Sequence, residues 1–76
     1  MFGETVKTYR VTGMTYSYSL GAWEVTSLDR RFRSKVVEAE DATAAAYLAV
    51  GFEAVEAVGD VRVYAGGTRY LVEEES

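Results

Sequence analysis

Residues 35–50 read KVVEAEDATAAAYLAV, and the change of character at Glu40-Asp41 decides the fold. The first part continues a strand over 32–39, FRSKVVEA. Arg33, Lys35 and Val37 share one face there, and Phe32, Ser34 and Val36 the other. The second part is a helix. Asp41 is a good N-cap, Glu40 beside it complements the positive helix start, and ATAAAYLAV is strongly helix-forming. Ala45, Leu48, Phe52 and Val55 make an apolar stripe at helical spacing, with Ala49 beside it. Gly59 supplies a stop at the expected position after the last turn. The spacing predicts a helix over about 41–58.

Upstream, ETVKTYRVT (4–12) alternates as a strand, with Lys7, Tyr9 and Val11 on one face; Gly13 marks a turn. MTYSYSLGAWEVTSL (14–28) is strand-like but changes phase. Tyr16, Tyr18 and Leu20 share a parity that Trp23 and Val25 do not. Gly21 is therefore either a bulge that restores the phase or a hairpin turn, and a long strand with a bulge is the favoured reading. Downstream, DVRVYA and TRYLVE flank Gly66-Gly67, which suits a two-residue type I′ turn. That turn pairs Ala65 with Thr68, Val63 with Tyr70 and Val61 with Val72. The tail 73–76, EEES, is charged and expected to fray.

The order is β-β-β-α-β-β, with one extra strand if Gly21 is a hairpin. The fold class is α+β: one domain over 1–76, an antiparallel sheet with one helix on one face. At 76 residues the core is thin. A chain of this size buries only about 60–65% of its unfolded surface.

Composition narrows the chemistry. The chain lacks Cys, His, Pro, Asn, Gln and Ile. This usage fits a GC-rich coding genome. Without Cys or His, the common nucleophile–base arrangements and zinc sites are absent. No phosphate-binding glycine motif occurs, and the acidic residues lack calcium-loop spacing. No catalytic residue, metal ligand or cofactor is expected, and the protein is read as a non-enzyme. No apolar run reaches membrane-spanning length and no signal-peptide pattern opens the chain, so a cytoplasmic location is expected.

The net charge of −4 is unevenly spread. Residues 1–35 hold six basic and three acidic side chains, a net +3; residues 36–76 hold two and nine, a net −7. Two candidate surfaces follow. The first is a protein-docking patch of Tyr47, Val50, Glu53, Ala54, Glu56 and Val58, a second apolar strip of the helix with an acidic rim. Its partner is another protein or a second copy. The second candidate is a single-stranded nucleic-acid surface of Arg10, Tyr16, Tyr18, Trp23, Arg30, Arg31, Arg33 and Lys35, offering rings to stack on and cations for phosphates. The acidic balance favours the first.

The joint KVVEAEDATAAAYLAV resembles one found in small phage and mobile-element proteins built from a β-meander followed by a helix. The resemblance covers some 15–20 residues. It implies a stand-alone accessory protein that binds and inhibits a host factor. It carries no site residues over.

Overall fold

The computed structural model describes residues 5–25 and 34–75. Asp41 has extended backbone, and its side chain accepts the Ala44 amide at 2.8 Å, so the helix begins where its cap predicts. It ends early. Gly51 adopts φ 93° and donates its N–H to the Tyr47 carbonyl at 2.8 Å, a left-handed C-terminal cap. Helix α1 is therefore Ala42–Val50, not 41–58. Two glycines compete to stop it, and the nearer one does. Beyond it, Glu56–Val58 forms a strand with Val61–Val63. Gly59 is the first residue of their two-residue loop, with φ 58°, the pattern of a type II′ turn.

Among the described residues six strands accompany the helix: β1 Lys7–Ser17, β2 Ala22–Val25, β3 Lys35–Ala39, β4 Glu56–Val58, β5 Val61–Val63 and β6 Arg69–Glu75. All pairings are antiparallel. The order is β2-β1-β6-β5-β4, and β3 also pairs with β1. The α+β architecture is the expected one, but the sixth strand is β4, in a stretch expected to be helical, and not an extra strand before the helix.

Gly13 is not a turn. β1 runs through it, with Gly13 opposite Tyr70 of β6, because ladder pairing overrides the weak strand preference of one glycine. Gly21 is a hairpin turn rather than a bulge. It takes φ 65° and donates to the Ser17 carbonyl at 2.8 Å, while Ser17 pairs with Ala22. The four-residue loop sets Trp23 opposite Tyr16 on one face, which accounts for the phase change.

The last hairpin is one residue out of the expected register. Val61 pairs with Leu71, Arg62 with Tyr70 and Val63 with Arg69. A five-residue connection replaces the two-residue turn, closed by Tyr64 N–H to the Thr68 carbonyl at 2.7 Å. A one-residue shift exchanges the faces of one strand relative to the other. Here it places Tyr64 with Tyr70 and Val72 in the core beneath α1 and leaves Val63 outside that cluster. The expected frayed tail is also ordered through Glu75. Glu73, Glu74 and Glu75 pair with Arg10, Tyr9 and Thr8. Lys7 lies 3.7 Å from Glu74, and Arg10 2.8 Å from Glu75, which offsets the repulsion within the acidic run.

The core lies between α1 and one face of β1, β3 and β6. Val11 and Val72, opposite each other across β1 and β6, are fully buried. The helix contributes Ala45, Ala46 and Ala49, and the sheet side contributes Tyr9 and Tyr64, with Tyr70 against them. Small helix residues over large sheet residues let the two layers approach closely. The expected stripe fails in this respect. Ala45 is buried, but Leu48, Phe52 and Val55 are 61, 71 and 68% exposed. The tyrosines fill the interlayer space, so only alanines fit on that side of the helix.

Candidate functional site

Two surfaces of the fold are rich in exposed apolar side chains. One is the outer side of α1 with the segment that follows it. A shallow groove of about 760 Å³ runs there between Ala44, Tyr47 and Leu48 of the helix and Glu53-Ala54 beyond it. Glu40 and Asp41 stand at its helix-start end. Tyr47 is half exposed, and Leu48 more so.

The structure divides the six residues expected to form the docking patch. Tyr47, Glu53 and Ala54 line this groove. Val50 and Ala54 are half-buried against the core cluster. Val50 and Glu53 also border a second cleft, beside Phe52, Tyr64 and Tyr70. Glu56 and Val58 belong to β4 and line a third hollow with Met14, Trp23, Val63 and Arg69. Leu48, Phe52 and Val55, the stripe expected to face the core, are exposed, as are Tyr47 and Val58.

The second surface is the sheet face opposite α1. Tyr16 and Trp23 are a cross-strand pair with ring centroids 5.5 Å apart, and Tyr18 meets Tyr16 edge-on at 5.2 Å. Trp23 is not a core residue beneath the helix, and Tyr18 is 91% exposed. The guanidinium of Arg69 lies 4.4 Å from the Trp23 ring centroid, a cation–π contact that sequence reasoning missed. It follows from two pairings of β1, which set Arg69 of β6 opposite Met14 and Trp23 of β2 opposite Tyr16.

Of the basic residues proposed for nucleic acid, Arg30, Arg31 and Arg33 lie outside the described residues. Arg10 is ion-paired with Glu75. Lys35 donates to the Ala49 carbonyl at 2.9 Å, which satisfies a carbonyl at the helix end. Among the described residues, Arg69 is the cation in contact with the aromatic cluster.

Beneath the helix is a buried polar group. Tyr64 is buried and its hydroxyl has no hydrogen-bond partner among the described residues. Burial pushes its phenol above the ordinary value of 10; Tyr70 adds to the shift, and the Arg62 guanidinium opposes it. Among the described residues, no group of three or more Asp or Glu side chains is placed to hold a metal ion. None of the described helices is long and apolar enough to cross a membrane.

Both surfaces present exposed apolar side chains beside charged ones. The chain matches no protein-family model, no curated protein and no solved structure.

Proposed function

We propose that this protein is a small non-catalytic module that binds another protein, or a second copy of itself, through the outer surface of α1. The carrying observation is the distribution of apolar residues around the helix. Every residue of ATAAAYLAV except Thr43 is apolar or aromatic, yet only Ala45, Ala46 and Ala49 are buried. A helix apolar on all sides is normally covered on all sides. Here Tyr47 and Leu48, followed by Phe52 and Val55, face outward. Exposed apolar side chains gathered on and just after one helix suit an interaction site. In keeping with the phage-like strand–helix joint, we read the module as an accessory or inhibitory protein acting on a host factor.

The test combines mass in solution with affinity capture from host lysate, using the native chain and a Leu48→Glu, Phe52→Glu double variant. The expected result is a dimer or a specific captured protein, lost in the variant. A strict monomer that captures nothing would sink the reading.

A second reading has one observation in its favour: Tyr16, Tyr18 and Trp23 cluster outside the core, beside Arg69. It predicts salt-dependent binding of a single-stranded oligonucleotide with quenching of Trp23 fluorescence. Absence of binding at low salt removes it. Two features weigh against it. The rings contact one another edge to face, and Arg69 covers one side of Trp23.

A further inference from the structure

We infer that the tip of the β1–β2 hairpin dips into the surface of a zwitterionic lipid bilayer. This goes beyond the protein-binding reading and leaves the outer surface of α1 free. The hairpin outruns its neighbours. The β3 ladder along β1 ends at Val11 and the β6 ladder at Met14. Among the described residues, only β2 pairs with Thr15, Tyr16 and Ser17. Those three residues, at about 3.4 Å each, carry the ribbon about 10 Å past β6 before it turns. At its end Tyr18 is 91% exposed and Leu20 68%. From Val11 to Trp23 the sequence carries no charged side chain.

Side chains along the hairpin are ordered by polarity. Leu20 and Tyr18 lie in the turn. Behind them Tyr16 and Trp23 pair across the strands, and Tyr16 also meets Tyr18 edge-on. Charge begins at the next level. Glu24 stands opposite Thr15, and Arg69 of β6 stands opposite Met14 with its guanidinium on the Trp23 ring. A bilayer surface has the same gradient. Acyl chains come first, then the level where Tyr and Trp rings sit with one end apolar and the other wet, then the charged headgroups. A pocket in a protein requires no such order. Glu24 and Arg69 bring both signs of charge to the headgroup level, which suits a phosphate and an ammonium on one lipid. The net charge of −4 disfavours an anionic surface. A further cation at this level would add to the hold on phosphate rather than oppose it.

The turn also supplies part of its own hydrogen bonding. Leu20 donates its N–H to Ser17 Oγ at 3.3 Å, and Gly21 donates to the Ser17 carbonyl at 2.8 Å. The Ser17 and Ser19 hydroxyls bond to each other at 3.1 Å. Polar groups bonded within the turn cost less to move out of water. Two inserted side chains make a weak, reversible contact, below the ~10⁴ M⁻¹ of a single myristoyl chain.

The experiment floats the full chain with phosphatidylcholine vesicles at millimolar lipid, and with the same vesicles carrying phosphatidylserine. Trp23, the single tryptophan, reports by its fluorescence. The expected result is flotation with phosphatidylcholine that persists at high salt, with Trp23 emission moving to shorter wavelength. Brominated acyl chains should quench it. Tyr18→Ser and Leu20→Ser should each weaken binding by about tenfold, the loss of one inserted side chain. Both positions are exposed, and circular dichroism checks that the variants remain folded. Leu20→Ser leaves the ring contacts intact, so it reads the tip alone.

Absence of flotation at millimolar lipid overturns the inference. Flotation only with phosphatidylserine overturns it too, because a charged surface and not the tip then carries the contact. Equal flotation of the native chain and Leu20→Ser has the same force. If vesicles do not bind while a captured protein or a dimer is lost in Leu20→Ser, the tip belongs to a protein interface and the lipid assignment fails.

Discussion

Arg62 of β5 donates its Nε hydrogen to the Thr43 hydroxyl of α1 across 3.0 Å, and this bond ties the helix to the β4–β5 turn. Its Nη1 also donates to the Gly59 and Val61 carbonyls at 2.8 and 3.2 Å. The side chain is 9% exposed, so its fork is committed to these acceptors. Arg62→Met should destabilise the protein by about 1–2 kcal/mol in urea unfolding, because the acceptors lose a charged donor. Arg62→Lys should recover little, since one ammonium cannot reproduce the planar fork. Combining Arg62→Met with Thr43→Val should give less than the sum of the single effects, by about 1 kcal/mol, if the pair interacts directly.

Tyr64→Phe should stabilise. The phenol is buried with a hydroxyl unpartnered among the described residues, and removing it relieves a desolvation penalty of about 1–3 kcal/mol. The same variant has a pH signature. The folded-state value of Tyr64 is raised above 10, so the folded state holds its proton after the unfolded chain has lost it. Its contribution is thus fully present below pH 10 and is lost as pH rises through the folded value. Alkaline denaturation midpoints should show a shallower loss of stability above pH 10 in Tyr64→Phe than in the native chain. Identical slopes would remove the assignment.

Gly51→Ala should lower stability by about 1–2 kcal/mol, the cost of an L-residue in the left-handed region. The site has φ 93° and open space around the missing Cβ, so the effect is one of backbone conformation alone. A thermal scan should show Tm falling by about 4–8 °C per kcal/mol for a domain of this size.

Ala46→Leu and Leu48→Ala should behave opposite to intuition about residue size. Ala46 is fully buried, and the added carbons should cost about 1–3 kcal/mol in overpacking. Leu48 is 61% exposed, and its truncation should change stability by about 0.5 kcal/mol or less. Chemical denaturation of the two variants side by side checks the orientation of α1.

That orientation explains what the sequence could and could not reveal. Asp41 announces the helix start because capping is a local interaction. The alternation of Lys7, Tyr9 and Val11 announces the first strand because burial on one face leaves a period of two. The buried side of α1 is different. When nearly every residue of a helix is apolar, periodicity carries no information about which side is covered. Size decides instead, and size matters only against the tyrosines that face the helix. The register of the last hairpin was hidden for a similar reason. Gly66-Gly67 fits a two-residue turn locally, but the core position of Tyr64 against Tyr70, 5.4 Å between ring centroids, goes with the longer connection. Of the residues expected to dock a partner, Tyr47, Glu53 and Ala54 were legible as neighbours, since all three line one groove. Glu56 and Val58 were misplaced because the helix was extended past Gly51. The Trp23–Arg69 contact joins β2 to β6 and depends on three strands being in register.

The pairing of β1 with β6 has a consequence for the life of the chain before it is folded. Thr8 meets Glu75, so β1 and β6 are neighbours in the middle of the sheet although they lie at opposite ends of the described residues. Bringing such distant partners together closes a long loop, which costs entropy and slows folding. The local hairpins β1–β2 and β4–β5 can therefore pair before the centre of the sheet closes.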